Sequence, residues 1–207
     1  MVERGVDQVS IELSKACDVS AFISTKLNEV SIDANLRNRV VASCFAVALD
    51  HFDAVLALLG RTPKIHSSAF ALIRLEFESY IRGMWLMYCA TDEQIKNFSD
   101  NTFELPKTPT MINSVEKTAN FEVKTLSTTY ANDWKHLCDY THTGALQIQR
   151  WNKSDSIEPN YSDDEVVEVI RFTKTYALVT AVSFAEAVIK NNELANEFLA
   201  KAKEIAV

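Results

Sequence analysis

The residues best placed to do chemistry in this chain are Arg74, Glu78 and Arg82, which recur every four positions. In an α-helix that spacing stacks side chains along one edge. The surrounding stretch, with Phe70, Ile73, Phe77, Ile81, Met84 and Tyr88 on one side and Leu72, Leu75, Leu86 and Met87 on the other, is apolar nearly all round. Charges set into such a rod need partners. Two arrangements would supply them. One is an intrahelical ion ladder whose long side chains snorkel to the surface. The other is a pocket wall in which two guanidinium groups receive an anion and Glu78 orients them. Glu76 points elsewhere, near Ser79 and Gly83, toward a separate contact.

A second polar set follows in Tyr140 to Trp151, where a helix ends at His142 and the chain then presents Gln147, Arg150 and the Trp151 indole. An imidazole at a helix C-terminus caps the last carbonyls favourably, and Gly144 reads as the helix stop. The two segments have the forms R-x3-E-x3-R-G-x-W and Y-T-H-x-G. Together they resemble a group of uncharacterised bacterial all-helical proteins, over about the middle half of the chain. The resemblance implies that Arg74, Glu78, Arg82, His142, Gly144, Gln147 and Arg150 gather around one shared site, and it names no reaction.

Other chemistries are weaker. His136, Asp139 and His142 are spaced three apart, and histidine with carboxylate suits zinc or iron. Successive three-residue steps diverge around the helix, so one helix alone cannot close that site. A di-iron centre would need Glu-x-x-His on two helices, and neither copy exists. No metal and no cofactor is expected. Arg61 and His66 have the R-x4-6-H spacing of HEPN-class ribonucleases, which they resemble in that motif alone. The resemblance implies arginine steadying phosphate charge and histidine handling protons. Thr62 stands where that class usually has its polar residue. There is no glycine-rich phosphate loop and no G-x-S-x-G elbow.

The elements that must position these residues are helices. Apolar residues recur every three or four positions from about Val6 to Val30 and again from Val41 to Leu59, where Gly60 ends the run. Thr62 and Pro63 fit a cap and first turn for a third helix reaching about Cys89. A short turn at Asp92 to Phe98 precedes a surface connection, Ser99 to Thr110, and two segments follow, Pro109 to about Ala119 and about Phe121 to His142. Ser162 and Glu165 form a capping box for a helix to about Lys190, and a last short helix comes after Asn192. The sum is an all-α, single-domain bundle (1–207) of about six to eight helices, with an up-and-down core and additions.

Composition agrees. Apolar residues make up 47% of the 207, and four glycines and four prolines are too few for a many-stranded β fold. The net charge of -7 disfavours a nucleic-acid partner. Cys17, Cys44, Cys89 and Cys138 lack CxxC spacing and read as buried free thiols in a reducing, cytoplasmic setting. The N-terminus, with Glu3, Asp7 and Glu12, does not look like an export signal. Val40 to Leu59 is long enough to span a bilayer but carries Asp50, His51 and Asp53, so it reads as a core helix and no membrane partner is expected. The functional expectation is a polar site for an anionic small molecule or partner segment. The alternatives are a HEPN-like metal-independent ribonuclease acting on RNA, and an assembly protein forming a homodimer.

Overall fold

Those periodic runs become helices in the computed structural model, which describes residues 7–28, 30–118 and 124–205. The order is α1 (Gln8–Asn28), α2 (Leu36–Gly60), α3 (His66–Tyr88), α4 (Asp92–Ser99), α5 (Thr108–Thr118), α6 (Thr125–Thr141), α7 (Ala145–Gln149), α8 (Asp163–Ser183) and α9 (Asn192–Ile205). A π-helical segment, Phe184–Ile189, continues α8. Of these nine α-helices among the described residues, eight have at least 7 residues, and no strand accompanies them. The predicted helix limits at Val6, Ala119 and Phe121 lie outside the described residues.

The start signals act as local chemistry requires. Asn35 accepts the Asn38 amide at 2.9 Å, and capping boxes close at Thr91 with Gln94 and at Ser162 with Glu165. The third helix starts later than predicted. Ile65 donates its amide to Leu58 O at 3.0 Å, so the chain stays tied to the end of α2 through Thr62 and Pro63, and α3 begins at His66. Gly60 is the last residue of α2.

α1, α2 and α3 run up, down and up. Ser20 on α1 donates to Asp53 on α2, and Gly60 at the end of α2 approaches Leu13, so those two helices are antiparallel. Gly83 late in α3 meets Phe45 early in α2, which sets the second antiparallel pair. α8 instead runs parallel to α3: Glu76 meets Thr173, Phe77 meets Tyr176, and Tyr80 meets Ser183. The additions α4 to α7 supply the crossover that this parallel return needs. Two apolar clusters form the core, one around Phe52, Phe70 and Phe198 and one around Phe45, Phe77 and Tyr80, with Trp134 and Phe172 packed against both.

α2 and the stretch Asp163–Ile189 are long and apolar enough to cross a membrane by length and composition. In this fold both pack their apolar faces into the shared core. The cysteines are less buried than expected: Cys17 is exposed and the other three are half-buried, because they fall beside the helix stripes and not on them.

α3 crosses the centre and has thirteen buried residues, among them Glu76. Its carboxyl Oε2 accepts a hydrogen bond from Thr173, while Oε1 has no partner among the described residues. Burial pushes its pKa well above 4.5, the Thr173 hydrogen bond opposes this, and Asp53 adds to the rise. The folded chain therefore holds a proton that the unfolded chain releases, so this group's contribution to stability is intact below the unfolded value and is lost as pH rises toward the folded one.

Two outcomes are expected. Glu76→Gln removes the titration, so its melting temperature gains on the wild type as pH rises above the ordinary glutamate value of 4.5; a difference that stays constant with pH would show no linked proton. At Gly83 an added Cβ would lie 2.5 Å from Phe45 Cε1, and Phe45 is fully buried. Gly83→Ala is expected to destabilise by about 1–3 kcal/mol through overpacking, read from the urea midpoint.

Candidate functional site

The polar ladder on α3 is an ion network anchored from α6. Arg74 donates from Nε at 3.1 Å and from Nη2 at 3.0 Å to Glu78 Oε1. The other carboxylate oxygen, Oε2, faces Arg82 Nη2 at 3.4 Å. Glu78 thus sits between two cations, one turn from each.

Arg74 is held on two further sides. Its guanidinium lies over the Trp134 ring, 4.6 Å from the centroid, a stacking worth about 0.5–2 kcal/mol. Tyr130 stacks on the other part of that aromatic pair, with centroids 4.6 Å apart. Arg74 Nη1 meets His142 Nε2. A guanidinium N–H only donates, so Nε2 accepts and the ring proton belongs on Nδ1.

The turn after α6 brings His142 there. Thr141 donates its hydroxyl to Leu137 O at 2.8 Å and also contacts Ala71 O at 3.2 Å, which pins the end of α6 onto α3. The helix stop differs from the expected one. Thr143, not glycine, adopts the left-handed conformation, with φ 55°. Gly144 has φ -70° and is the N-cap of α7. Its glycine is required by space, since a Cβ would sit 2.5 Å from Asp139 Oδ1 and 2.8 Å from Asp139 Cα.

Arg74, Glu78, Arg82 and His142 are therefore together, while Gln147 and Arg150 serve other networks. Gln147 Oε1 accepts from Tyr161 OH at 3.2 Å. The Trp151 indole donates to Ser67 Oγ at 2.6 Å, and Ser67 and Tyr161 share a hydrogen bond of 3.1 Å. With the indole only donating, the proton order runs from Trp151 through Ser67 and Tyr161 to Gln147. Arg150 pairs with Glu165, donating from Nε at 2.6 Å and from Nη2. Burial works to raise the Glu165 pKa, but hydrogen bonds from Ser162 and Arg150 outweigh it and keep the carboxyl low. The cleft that Arg150 lines, about 350 Å³, also holds Asp133, Glu165 and Glu168, three carboxylates against one guanidinium. That charge suits no anion.

The remaining candidates also disperse. His136 lines the Arg150 cleft, Asp139 backs Gly144 and His142 faces Arg74. Among the described residues no group of three or more His, Cys, Asp or Glu side chains is placed to hold a metal ion. Arg61 is exposed at the end of α2. His66 stacks on Tyr161 with centroids 4.8 Å apart, its Nδ1 buried without a partner among the described residues. Burial, then Lys64, lowers its pKa.

Arg82 is the cation with spare capacity. Its side chain is 47% exposed against 16% for Arg74. It lines a cleft of about 370 Å³ between α2, α3 and the end of α4, with Ser43, Ser79 and Ser99 as hydroxyl groups and Val40, Val47 and Phe98 as an apolar wall. Sequence reasoning missed the serines, because their common cleft depends on packing three helices together. Nor does the sequence show the cation contact of Trp134, whose spacing with Tyr130 and Leu137 marks only an inward stripe of α6.

Removing the Arg74 guanidinium leaves the buried Glu78 with one long contact. Arg74→Ala is expected to lower stability by about 1–3 kcal/mol. Arg74→Lys should recover less than half of that, since an ammonium cannot span Nε, Nη1 and Nη2 positions together; equal stability of the three proteins in urea would contradict the network.

Neither the curated proteins nor the solved structures include a match to this chain. Residues 45–206, which include α3, α6 and the polar network between them, match DUF6988, a family of unknown function, and the chain belongs to that family.

Proposed function

We propose that the protein binds a small organic anion, such as a phosphorylated metabolite or nucleotide, in the cleft headed by Arg82. The observation that carries this reading is the unequal use of the two arginines. Arg74 is enclosed by Glu78, His142 and Trp134. Among the described residues Arg82 has Glu78 as its ion-pair partner, at 3.4 Å, and opens on a cleft with hydroxyl groups. A guanidinium carries five N–H donors in a planar fork suited to carboxylate or phosphate. Ser79 and Ser99 add neutral donors, and Val40, Val47 and Phe98 favour a ligand with an organic body over a bare ion. Arg74 and Glu78 then position Arg82, and His142 braces Arg74. The four free thiols support a reducing, cytoplasmic setting.

One observation favours a second reading. His142 and Arg74 are in direct contact, and arginine beside histidine is the pair that a metal-independent ribonuclease needs. The net charge of -7 works against an RNA partner.

Thermal unfolding against nucleotides, phosphorylated metabolites, inorganic phosphate and single-stranded RNA separates the two. A ligand that binds only the folded chain raises the melting temperature. A rise with a phosphorylated small molecule that Arg82→Ala abolishes is the expected result. Cleavage of the RNA that His142→Ala abolishes would replace this reading with the ribonuclease one, and no rise with any anion would remove it.

A further inference from the structure

A cavity of about 1010 Å³, far larger than the Arg82 cleft, lies between α1, α3, α8, the π-helical segment and α9. Its walls change character along α8. Arg171 and Lys174 stand at one end, facing Glu12 and Lys15 of α1; Leu178 and Val182 follow, opposite Leu199 of α9; Tyr80 and Glu186 lie at the other end. From Lys174 to Glu186 the helix rises about 18 Å.

The cationic end is built on a buried ion pair. Glu12 is 4% exposed and Lys174 5%. Lys174 Nζ donates to Glu12 Oε2 at 3.0 Å, and Arg171 Nη2 donates to Oε1 at 3.1 Å. Burial works to raise the Glu12 pKa, but the hydrogen bonds and charges of Lys174 and Arg171 outweigh it and hold the carboxyl below its ordinary value. Glu12 stays ionised and answers one of the three cations there. An ammonium has three donors and a guanidinium five, so donors remain beyond those that Glu12 takes.

The apolar stretch is open as well. Tyr88, Val179 and Leu199 are large apolar side chains left exposed, and all three border this cavity. Exposed apolar surface gathered in one concavity marks a binding groove. The far end turns a second carboxylate away, because Glu186 is there.

We propose that this cavity binds an amphipathic monocarboxylate, with its head on Arg171, Lys174 and Lys15 and its apolar chain along Leu178 and Val182. The site is separate from the Arg82 cleft and does not rest on the function proposed for it. Calorimetric titration of the whole chain with dodecanoate, dodecanol and dodecylamine tests it. Dodecanoate is expected to bind at one site, at least about tenfold tighter than the other two. Arg171→Ala, a surface change that leaves Glu12 paired with Lys174, should weaken dodecanoate about tenfold, the loss of one charge-assisted contact, and leave dodecanol unchanged. Val179→Trp, at the exposed rim, should weaken all three by filling the mouth. Equal binding of the acid, alcohol and amine, no binding of dodecanoate, or binding that neither variant alters would overturn the proposal.

Discussion

A single carboxylate, Glu78, sets the terms for the polar half of this protein. It sits on the central helix of an apolar core and is kept there by two arginines, one turn before and one turn after it. The tighter partner, Arg74, is oriented enough to receive the face of Trp134 and the ring of His142, so the same ion pair that satisfies α3 also docks α6. The looser partner, Arg82, keeps donors for something else. A buried ion pair adds little to stability by itself; its effect here is to fix which arginine is structural and which is available.

The same division appears between α1 and α8. Glu12 and Lys174 join α1 to α8 through a buried pair, and Arg171, on the rim, shares the carboxylate while remaining half exposed. In both places one carboxylate holds an enclosed cation and an open one. The parallel return of α8 makes this possible: running alongside α3, it closes the core with Thr173, Tyr176 and Ala177, while its other face meets α1.

Much of the fold was legible because helix periodicity and caps are local. The stripes of α1 and α2, the all-round burial of α3, and the Ser162 with Glu165 capping box follow from residue spacing. The contact of the α3 ladder with the His142 turn does not follow from spacing; only the family likeness implied it. What spacing does not carry is tertiary. Arg150 looked like a third cation for the same site, yet Glu165, fifteen residues later, takes it. Gly144 looked like a helix stop, yet its place is set by the close approach of Asp139. The Thr62 and Pro63 pair looked like a helix start, yet a backbone bond to Leu58 holds that loop back. The Glu12 and Lys174 pair had a signal that went unused: each falls three or four residues from Val9 and Ile170, on the core face of its helix, where a charge requires an opposite partner.

The central claim is that Arg82, and not Arg150, is the cation left open for an anion. A crystal structure determined in the presence of inorganic phosphate tests it most directly. Phosphate bound to the Arg82 guanidinium, within hydrogen-bond reach of Ser79 or Ser99, is the predicted result. Phosphate on Arg150 with its Glu165 pair broken, or an Arg82 side chain folded onto Glu78 with no phosphate beside it, would contradict it.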